Sequence, residues 1–266
     1  MKLGFIGCGN MATAILKGIA DSKLLEPADI FVFDTNAKAL ENVAAKYGVQ
    51  PAENARALAQ SCDHILLAVK PNVIQSVLQE INADLKESNK IIISIAAGKT
   101  IEFLRSALTQ NNKIIRVMPN INAKVGEAVC AYCCNEAVTQ EEKQTVAGLL
   151  QVIGKVIELD EKFFPLFGVI SGCSPAFVYM FIDALARAAV KNGMSKNMAL
   201  EIAAQAVYGS AKMVLENPDT HPWQLVDMVC SPGGTTIEGV LTLQKEGFET
   251  AVHDAVQNAV DKDKAL

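Results

Sequence analysis

Small residues follow the first apolar run of the chain at the spacing of a dinucleotide-binding loop. The run Leu3–Ile6 leads directly into Gly7-Cys8-Gly9-Asn10-Met11-Ala12, which fits the pattern G-x-G-x-x-A at the start of a helix. The first glycine allows a tight turn, the second lets a pyrophosphate approach the backbone, and the helix N-terminus faces the anion. A glycine turn with a purely structural role is the alternative. The pattern favours a dinucleotide site that includes Ile6, Gly7, Cys8, Gly9, Asn10 and Met11.

Asp34 stands at the end of the second apolar run, about twenty residues beyond these glycines. A carboxylate at this position binds the ribose hydroxyls of NAD and repels the added phosphate of NADP. The sequence Asp34-Thr35-Asn36 also fits a helix cap, in which the Asp side chain turns to the backbone. These residues favour NAD and leave the choice of cofactor open.

Three later segments place small or polar residues where apolar runs end. They are Ala68-Val69-Lys70-Pro71, Ser94-Ile95-Ala96-Ala97-Gly98 and Val117-Met118-Pro119-Asn120. Ligands of doubly wound folds bind at the carboxyl ends of the strands. Each segment alone also fits a loop that only turns the chain. We expect the cofactor to be bordered by Ala68, Val69, Lys70, Pro71 and Ala97.

A second group of candidate residues, Ser231-Pro232-Gly233-Gly234-Thr235-Thr236, precedes an apolar helical stretch. It combines backbone N–H groups, hydroxyl donors and a helix N-terminus, which together suit a carboxylate. A plain helix cap is the alternative, but it needs only one Ser or Thr. Residues 231–236 therefore indicate a carboxylate-binding site.

Two kinds of predicted structure, a sheet domain and a helical domain, position these segments. From residue 2 to about residue 160, short β-rich runs alternate with helix-length amphipathic segments, the pattern of a parallel sheet covered by helices. The predicted strands are 2–6, 30–33, 64–69, 91–95, 114–118, 128–132 and 155–159. Beyond residue 162, helical spacing takes over, with predicted helices at 175–191, 196–216 and 248–264, and Pro222 suits the first turn of another.

The predicted fold class is α/β, with a Rossmann-type, mostly parallel sheet domain over 1–160 and an all-helical oligomerisation domain over 161–266. Residues 176–190 are apolar on nearly every face, so we expect a partner subunit to cover them. A central helix buried in its own domain is the alternative. Residues 163–182 carry no charge and are long enough to span a membrane. Two prolines and two glycines interrupt them, however. We therefore interpret them as a loop and the start of a deeply buried helix rather than as a membrane span.

Composition narrows the possible partners. The 266 residues carry a formal net charge of -5 without any run of Lys or Arg, which favours a small-molecule substrate and argues against nucleic acid or a membrane. Seven cysteines, an odd number, fit free thiols in a reducing cytoplasm. No second Cys pair or nearby His completes a metal site around Cys130, Cys133 and Cys134, so we expect no metal and interpret them as buried residues of a strand.

Taken in order, the glycine loop and residues 68–71, 117–120 and 231–236 resemble the motifs of pyrroline-5-carboxylate reductases, over essentially the whole chain. The resemblance implies reduction of 1-pyrroline-5-carboxylate to L-proline, with NADPH as the expected cofactor and NADH as the alternative that Asp34 favours. It implies a homodimer through the helical domain and leaves assembly into a decamer open. It also implies roles along the cofactor for Asn54 and Lys70, in substrate binding for Ser231, Gly233, Gly234 and Thr235, and in catalysis for Thr236, which would hydrogen-bond the ring nitrogen.

The chain departs from the family in one region. Cys173 and Phe177 differ from the usual family pattern Ser-Gly-Ser-Gly-Pro-Ala-Tyr, so we expect a different pocket wall. Acidic residues that the family places on the following helix correspond to Asp183 and Arg187, and we assign no catalytic role to either.

The expected chemistry needs positioning more than a base. An imine accepts hydride once its nitrogen is protonated, and solvent can supply that proton. None of the three histidines lies beside a motif.

Two rival functions remain at this point. A related hydroxy-acid dehydrogenase would need a Lys near the start of the interdomain helix, whereas residues 175–181 contain none. A dinucleotide-binding sensor without catalysis would not need residues 231–236.

Overall fold

Alternating apolar strands and amphipathic helices build the first of two compact units, Met1–Gly172 and Cys173–Leu266. The computed structural model describes residues 1–85, 89–109 and 111–264. The domain boundary placed between residues 160 and 161 from sequence stays a prediction. The last two residues of the predicted helical domain lie outside the described ones.

One sheet forms the centre of the first unit, with the strand order β3-β2-β1-β4-β5-β6-β7-β8. Neighbouring strands are parallel except β6 and β7, which are antiparallel. All seven predicted strands are present, so the predicted mostly parallel sheet is confirmed. The strands are β1 Leu3–Ile6, β2 Ile30–Phe33, β3 Gln50–Pro51, β4 His64–Leu67, β5 Ile91–Ser94, β6 Lys113–Met118, β7 Ala128–Cys134 and β8 Gly154–Glu158.

Helices cover both faces of this sheet, which explains why its central strands are apolar throughout. Along β1, Leu3 and Phe5 pack into one hydrophobic cluster and Ile6 into the other, and β4 divides Leu66 from Ile65 in the same way. The helices of the first unit are α1 Asn10–Ser22, α2 Ala37–Tyr47, α3 Ala55–Ser61, α4 Ile74–Ile81, α5 Ile101–Ser106, α6 Gln140–Leu150 and α7 Phe164–Phe167. Short 3-10 turns cover Pro27–Asp29, Asn82–Leu85, Ile121–Val125, Gln151–Ile153 and Glu161–Phe163.

The strand order reverses between β1 and β4. From β1 the chain adds β2 and β3 on one side, and then returns to add β4 and β5 on the other. Open α/β sheets bind ligands outside the carboxyl ends of the strands at such a reversal. The fold therefore places a binding crevice where the loops after β1 and β4 meet.

The second unit is helical throughout its regular structure. Its helices are α8 Ser174–Lys191, α9 Lys196–Glu216, α10 Pro222–Val229, α11 Thr235–Lys245 and α12 Phe248–Lys264. Ala186, Ala199 and Ala203 form a small buried cluster between α8 and α9, where short side chains let the two helices pack closely. The helices predicted over 175–191, 196–216 and 248–264 are confirmed, and Pro222 occupies the first turn of α10 as expected.

The loop predicted within residues 163–182 is wrong. A π-helix over Gly168–Cys173 joins α7 to α8, so helical backbone runs without a break from Glu161 to Lys191. Pro165 and Pro175 lie in first turns, where a helix needs no N–H donor. The expected deep burial is also absent within the chain, because among the residues of α8 only Pro175 and Ala186 are buried. By length and composition alone, Glu161–Lys191 is the one stretch of the described chain that qualifies as a candidate membrane span.

Candidate functional site

The two glycines of the loop after β1 meet different surroundings. Gly7 has φ +105°, and a Cβ atom there would lie 2.6 Å from the carbonyl oxygen of Ala68. Its N–H donates to the carbonyl oxygen of Phe33 at 2.8 Å. A Cβ on Gly9 would meet no described atom within 4 Å. Gly7 is therefore required by the protein's own packing, whereas Gly9 leaves room for a ligand to reach the backbone.

The N-terminus of α1 is suited to an anion. Gly9 is the N-cap residue, no side chain caps the helix, and the first turn holds no acidic residue. The first N–H groups of a helix have no intrahelical acceptor and carry partial positive charge. Together with the open face of Gly9, this end of α1 fits the pyrophosphate of a dinucleotide.

Asp34 hydrogen-bonds to the glycine loop. Its Oδ2 accepts the N–H of Cys8 at 2.7 Å, and its Oδ1 accepts the N–H of Asn36 at 2.8 Å. The backbone-bonded conformation considered for Asp34 from the sequence is present. Burial, and then the charge of Asp34, raise the pKa of the Cys8 thiol to about 11, so this thiol stays protonated at neutral pH.

The remaining predicted cofactor residues follow the carboxyl ends of neighbouring strands. The N–H of Ala68 donates to the carbonyl oxygen of Ile6 at 2.8 Å, which joins the loops after β1 and β4. Lys70, Pro71 and Ala97 are exposed, and Val69 is half-buried. The fold thus gathers the predicted cofactor residues of the loops after β1, β2, β4 and β5 along one sheet edge.

Asn54 follows β3 at the same edge of the sheet, but the hydrogen bond of its side chain caps a helix. Its Oδ1 accepts the N–H of Ala57 at 2.8 Å and caps α3. The side-chain amide nitrogen makes no hydrogen bond to the described residues. That nitrogen is therefore available to a cofactor.

A buried polar pair follows β6 and was not predicted as part of the site. Asn120 donates from Nδ2 to the carbonyl oxygen of Ser171 at 2.9 Å, and Ser171 lies in the π-helix. Both residues are buried, and Asn120 Oδ1 and Ser171 Oγ find no partner in the described part of the chain. The sequence singled out segment 117–120 as a strand end and as a family motif, but nothing in it indicated a contact between Asn120 and Ser171.

In the second unit, residues 231–236 form an exposed turn that leads into α11. The N–H of Gly234 donates to the carbonyl oxygen of Ser231 at 2.9 Å, and Gly233 has φ +68°. Gly234 is the N-cap residue, and no side chain caps the helix. No bond within the described residues uses the hydroxyls of Ser231, Thr235 or Thr236. The plain-cap interpretation fails, because these hydroxyls and the first N–H groups of α11 stay available.

Comparison with known proteins extends over the whole chain. Residues 161–266 match the family described as pyrroline-5-carboxylate reductase dimerisation, and residues 2–98 match the family described as NADP oxidoreductase, coenzyme F420-dependent. The pyrroline-5-carboxylate reductase of Escherichia coli strain K12 is 44% identical over 266 residues, which is 100% of this chain and 98% of the relative. The chain belongs to the pyrroline-5-carboxylate reductase family.

Solved structures of the reductase family agree with the fold. The crystal structure of Plasmodium falciparum pyrroline carboxylate reductase with NADP bound is 36% identical, with a TM-score of 0.87 over 100% of this chain and 97% of that one. A pyrroline-5-carboxylate reductase from Coxiella burnetii is 30% identical, with a TM-score of 0.93 over 99% and 97% of the two chains. The N-terminal dinucleotide-binding domain and the C-terminal dimerisation domain expected from sequence are confirmed.

Family membership clarifies the apolar helix α8. The match to the dimerisation family includes this helix, and it confirms the homo-oligomerisation expected for the helical domain. Asp183 and Arg187, where the reductase pattern is broken, form an ion pair with each other along α8. Hydrogen bonding to Arg187 lowers the pKa of Asp183.

The cysteines of this reductase are all unpaired, as expected from their odd number. Cys130 and Cys133 are buried in β7, and burial raises the pKa of each thiol to about 12. No group of three or more His, Cys, Asp or Glu side chains within the described residues is arranged to hold a metal ion. A polar cleft of about 670 Å³ near Arg105, Lys143 and Glu158 contains none of the predicted site residues.

Proposed function

We propose that this chain reduces 1-pyrroline-5-carboxylate to L-proline with NAD(P)H, the last step of proline biosynthesis. One observation carries the proposal: in a chain of this family, residues 231–236 keep their hydroxyls and the N–H groups of α11 free of internal partners. That arrangement suits a small anionic substrate. Relatives bearing the reductase name and a relative with NADP bound support the same conclusion.

The cofactor would be held along the carboxyl edge of the sheet. In this proposal the N-terminus of α1 and the backbone at Gly9 bind the pyrophosphate, and Asp34 faces the ribose. Lys70 and the amide nitrogen of Asn54 lie along the bound cofactor. Ala68, Val69, Pro71 and Ala97 provide small and apolar surface beside it. When bound, the cofactor supplies the hydride.

The substrate would be oriented by residues 231–236. Ser231, Thr235 and the N–H groups at Gly233 and Gly234 hold the carboxylate. The hydroxyl of Thr236 donates to the lone pair that forms on the ring nitrogen as the hydride reaches the adjacent carbon. The nitrogen takes its proton from solvent, so the protein needs to orient the ring, donate one hydrogen bond and exclude water rather than supply a base.

We extend the proposal to assembly and location. The protein forms a homodimer through its helical domain, and measurement of the mass in solution decides whether dimers build a decamer. It binds no nucleic acid and inserts into no membrane, which the net charge of -5 and the match to a dimerisation family support. The unpaired cysteines support a cytoplasmic location.

The decisive experiment follows cofactor oxidation by absorbance with 1-pyrroline-5-carboxylate, in wild type and in Thr236→Ala. Removal of one transition-state donor costs about 2.7 to 4 kcal/mol, so we expect kcat to fall by a factor of roughly 100 to 1,000. Thr242→Ala is the matched control, because Thr242 is an exposed residue of the same helix whose hydroxyl donates to the carbonyl oxygen of Glu238 within that helix. NADH and NADPH binding should be unchanged in both variants. Wild-type turnover in Thr236→Ala would remove Thr236 from the mechanism, and no turnover by the wild type would remove the reaction.

A further inference from the structure

Asp34 is fixed in place by the loop beside it. Both of its carboxylate oxygens accept backbone N–H groups, Oδ2 from Cys8 at 2.7 Å and Oδ1 from Asn36 at 2.8 Å. Hydrogen bonds to an ionised acceptor are the stronger kind. Turning the carboxylate away would leave two backbone donors without their partner, one of them on the buried residue Cys8. The negative charge therefore stays at the end of β2.

We infer that this charge makes NADH the preferred cofactor of the protein, with Asp34 as the residue that discriminates against the added phosphate of NADPH. The inference rests on the cofactor site of the proposed function. A carboxylate at the end of the second strand of a Rossmann unit faces the ribose hydroxyls, one of which bears the extra phosphate in NADPH. The carboxylate repels that phosphate, and turning it aside would break both of its backbone hydrogen bonds.

The surrounding residues offer little compensation for such a phosphate. The segment after β2 contains no arginine, and Lys38 is its nearest basic residue. A lysine supplies a point charge without the two-pronged geometry with which arginine binds phosphate. Arg56, in the first turns of α3, is already engaged, because its Nε and Nη2 donate to the two oxygens of Asp84 at 2.8 and 3.1 Å. The described neighbours of Asp34 thus favour a ribose without phosphate.

The test measures Kd for NADH and for NADPH by fluorescence titration of the full-length protein, together with kcat/KM for each cofactor with 1-pyrroline-5-carboxylate. We expect the wild type to favour NADH at least about tenfold in both quantities, since a juxtaposition of like charges is strongly unfavourable. Asp34→Asn removes the charge and should shift the Kd ratio toward NADPH by at least about tenfold. Glu26→Gln, just before β2 at the opposite edge of the sheet, is the matched control and should leave the ratio unchanged.

The outcomes separate this inference from the proposed reaction. Equal or tighter binding of NADPH by the wild type overturns the inference even if turnover is normal, and so does an unchanged Kd ratio in a folded Asp34→Asn. If Asp34→Asn does not fold, the ratio of the two Kd values in the wild type alone tests the inference. Preferred NADH binding without turnover of the imine supports the inference and removes the reaction. Failure to bind either cofactor overturns both.

Discussion

A single methyl group does not fit at residue 7. The loops after β1 and β4 approach each other where the strand order reverses, and the carbonyl group of Ala68 occupies the space that a side chain at Gly7 would need. Gly9 is free of such contacts and has an ordinary φ of -72°. The two glycines of one sequence pattern therefore serve different purposes, one for the fold and one for the ligand.

This difference predicts opposite results for two alanine substitutions. Gly7→Ala should lower the free energy of unfolding by about 2 to 4 kcal/mol, from positive-φ strain and the contact with Ala68. Gly9→Ala should change it by less than about 0.5 kcal/mol and instead weaken NADH binding, because the added methyl group stands where the pyrophosphate approaches. Urea unfolding and a fluorescence titration measure the two effects. Equal destabilisation by both substitutions would contradict this explanation.

Individual site residues differ in how far the sequence reveals them. The glycine loop and residues 231–236 could be predicted, because their backbone requirements show directly in residue type. Asp34 could be placed at the end of β2, but the sequence left open whether its side chain turns to the backbone, and its hydrogen bonds to Cys8 and Asn36 show that it does. Asn120 and Ser171 could not be paired from the sequence, since they are 51 positions apart and meet only through the fold.

At the level of elements, a single carboxylate links α3 to a following 3-10 turn. Asp84, in the turn Asn82–Leu85, accepts hydrogen bonds from Arg56 and Gln60 on α3. The bond from Arg56, followed by that from Gln60, lowers the pKa of Asp84. A carboxyl group whose pKa is lower in the folded state stabilises the fold above its unfolded pKa, and this contribution is lost as the pH falls through the folded pKa.

The Asp84→Asn variant should therefore be less stable than the wild type at pH 7, by up to about 1 kcal/mol, because Arg56 is largely exposed and such pairs contribute little. The difference should begin to shrink as the pH falls below the unfolded pKa of about 3.9, and it should keep shrinking as the pH falls through the lower folded pKa. Urea unfolding at pH 7 and pH 3 measures both values. Glu41→Gln, an exposed change on α2, should show no such dependence. A difference that is as large at pH 3 as at pH 7 would rule out the charge as its cause.

Elements were predicted well where apolar runs are long and poorly where local residues suggest a break. The central strands are buried on both faces, so each appears as an unbroken apolar run. Strand β3 was not predicted, because it has only two residues, both are exposed, and one of them is Pro51. The helical path through residues 163–182 was missed because its prolines and glycines resemble breakers, although proline in a first turn removes no hydrogen bond.

At the level of the whole molecule, the second unit leaves much apolar surface uncovered within its own chain. Met180 on α8, Leu215 on α9 and Met228 on α10 are 73%, 79% and 75% exposed. A unit of this size cannot bury five amphipathic helices against one another, so each helix keeps an open face. Membership of a dimerisation family accounts for that surface, including the part of it within Glu161–Lys191, which is long and apolar enough to cross a membrane.

Placing a charge on this surface should weaken association. Met180→Glu buries a carboxylate if the interface forms, so we expect a larger fraction of monomer by analytical ultracentrifugation at micromolar concentration. Val125→Glu is the matched control, because Val125 is 74% exposed in the first unit. It should leave the mass distribution unchanged. Full association of Met180→Glu would show that this part of α8 lies outside the interface.

The uncovered helices also have a genetic consequence. Residues 231–236 and the apolar helices belong to the same unit, yet a chain with a damaged turn keeps the helical surface that recruits other copies. A cell that makes intact and damaged chains together would therefore assemble mixed oligomers whenever the defect spares α8 and α9.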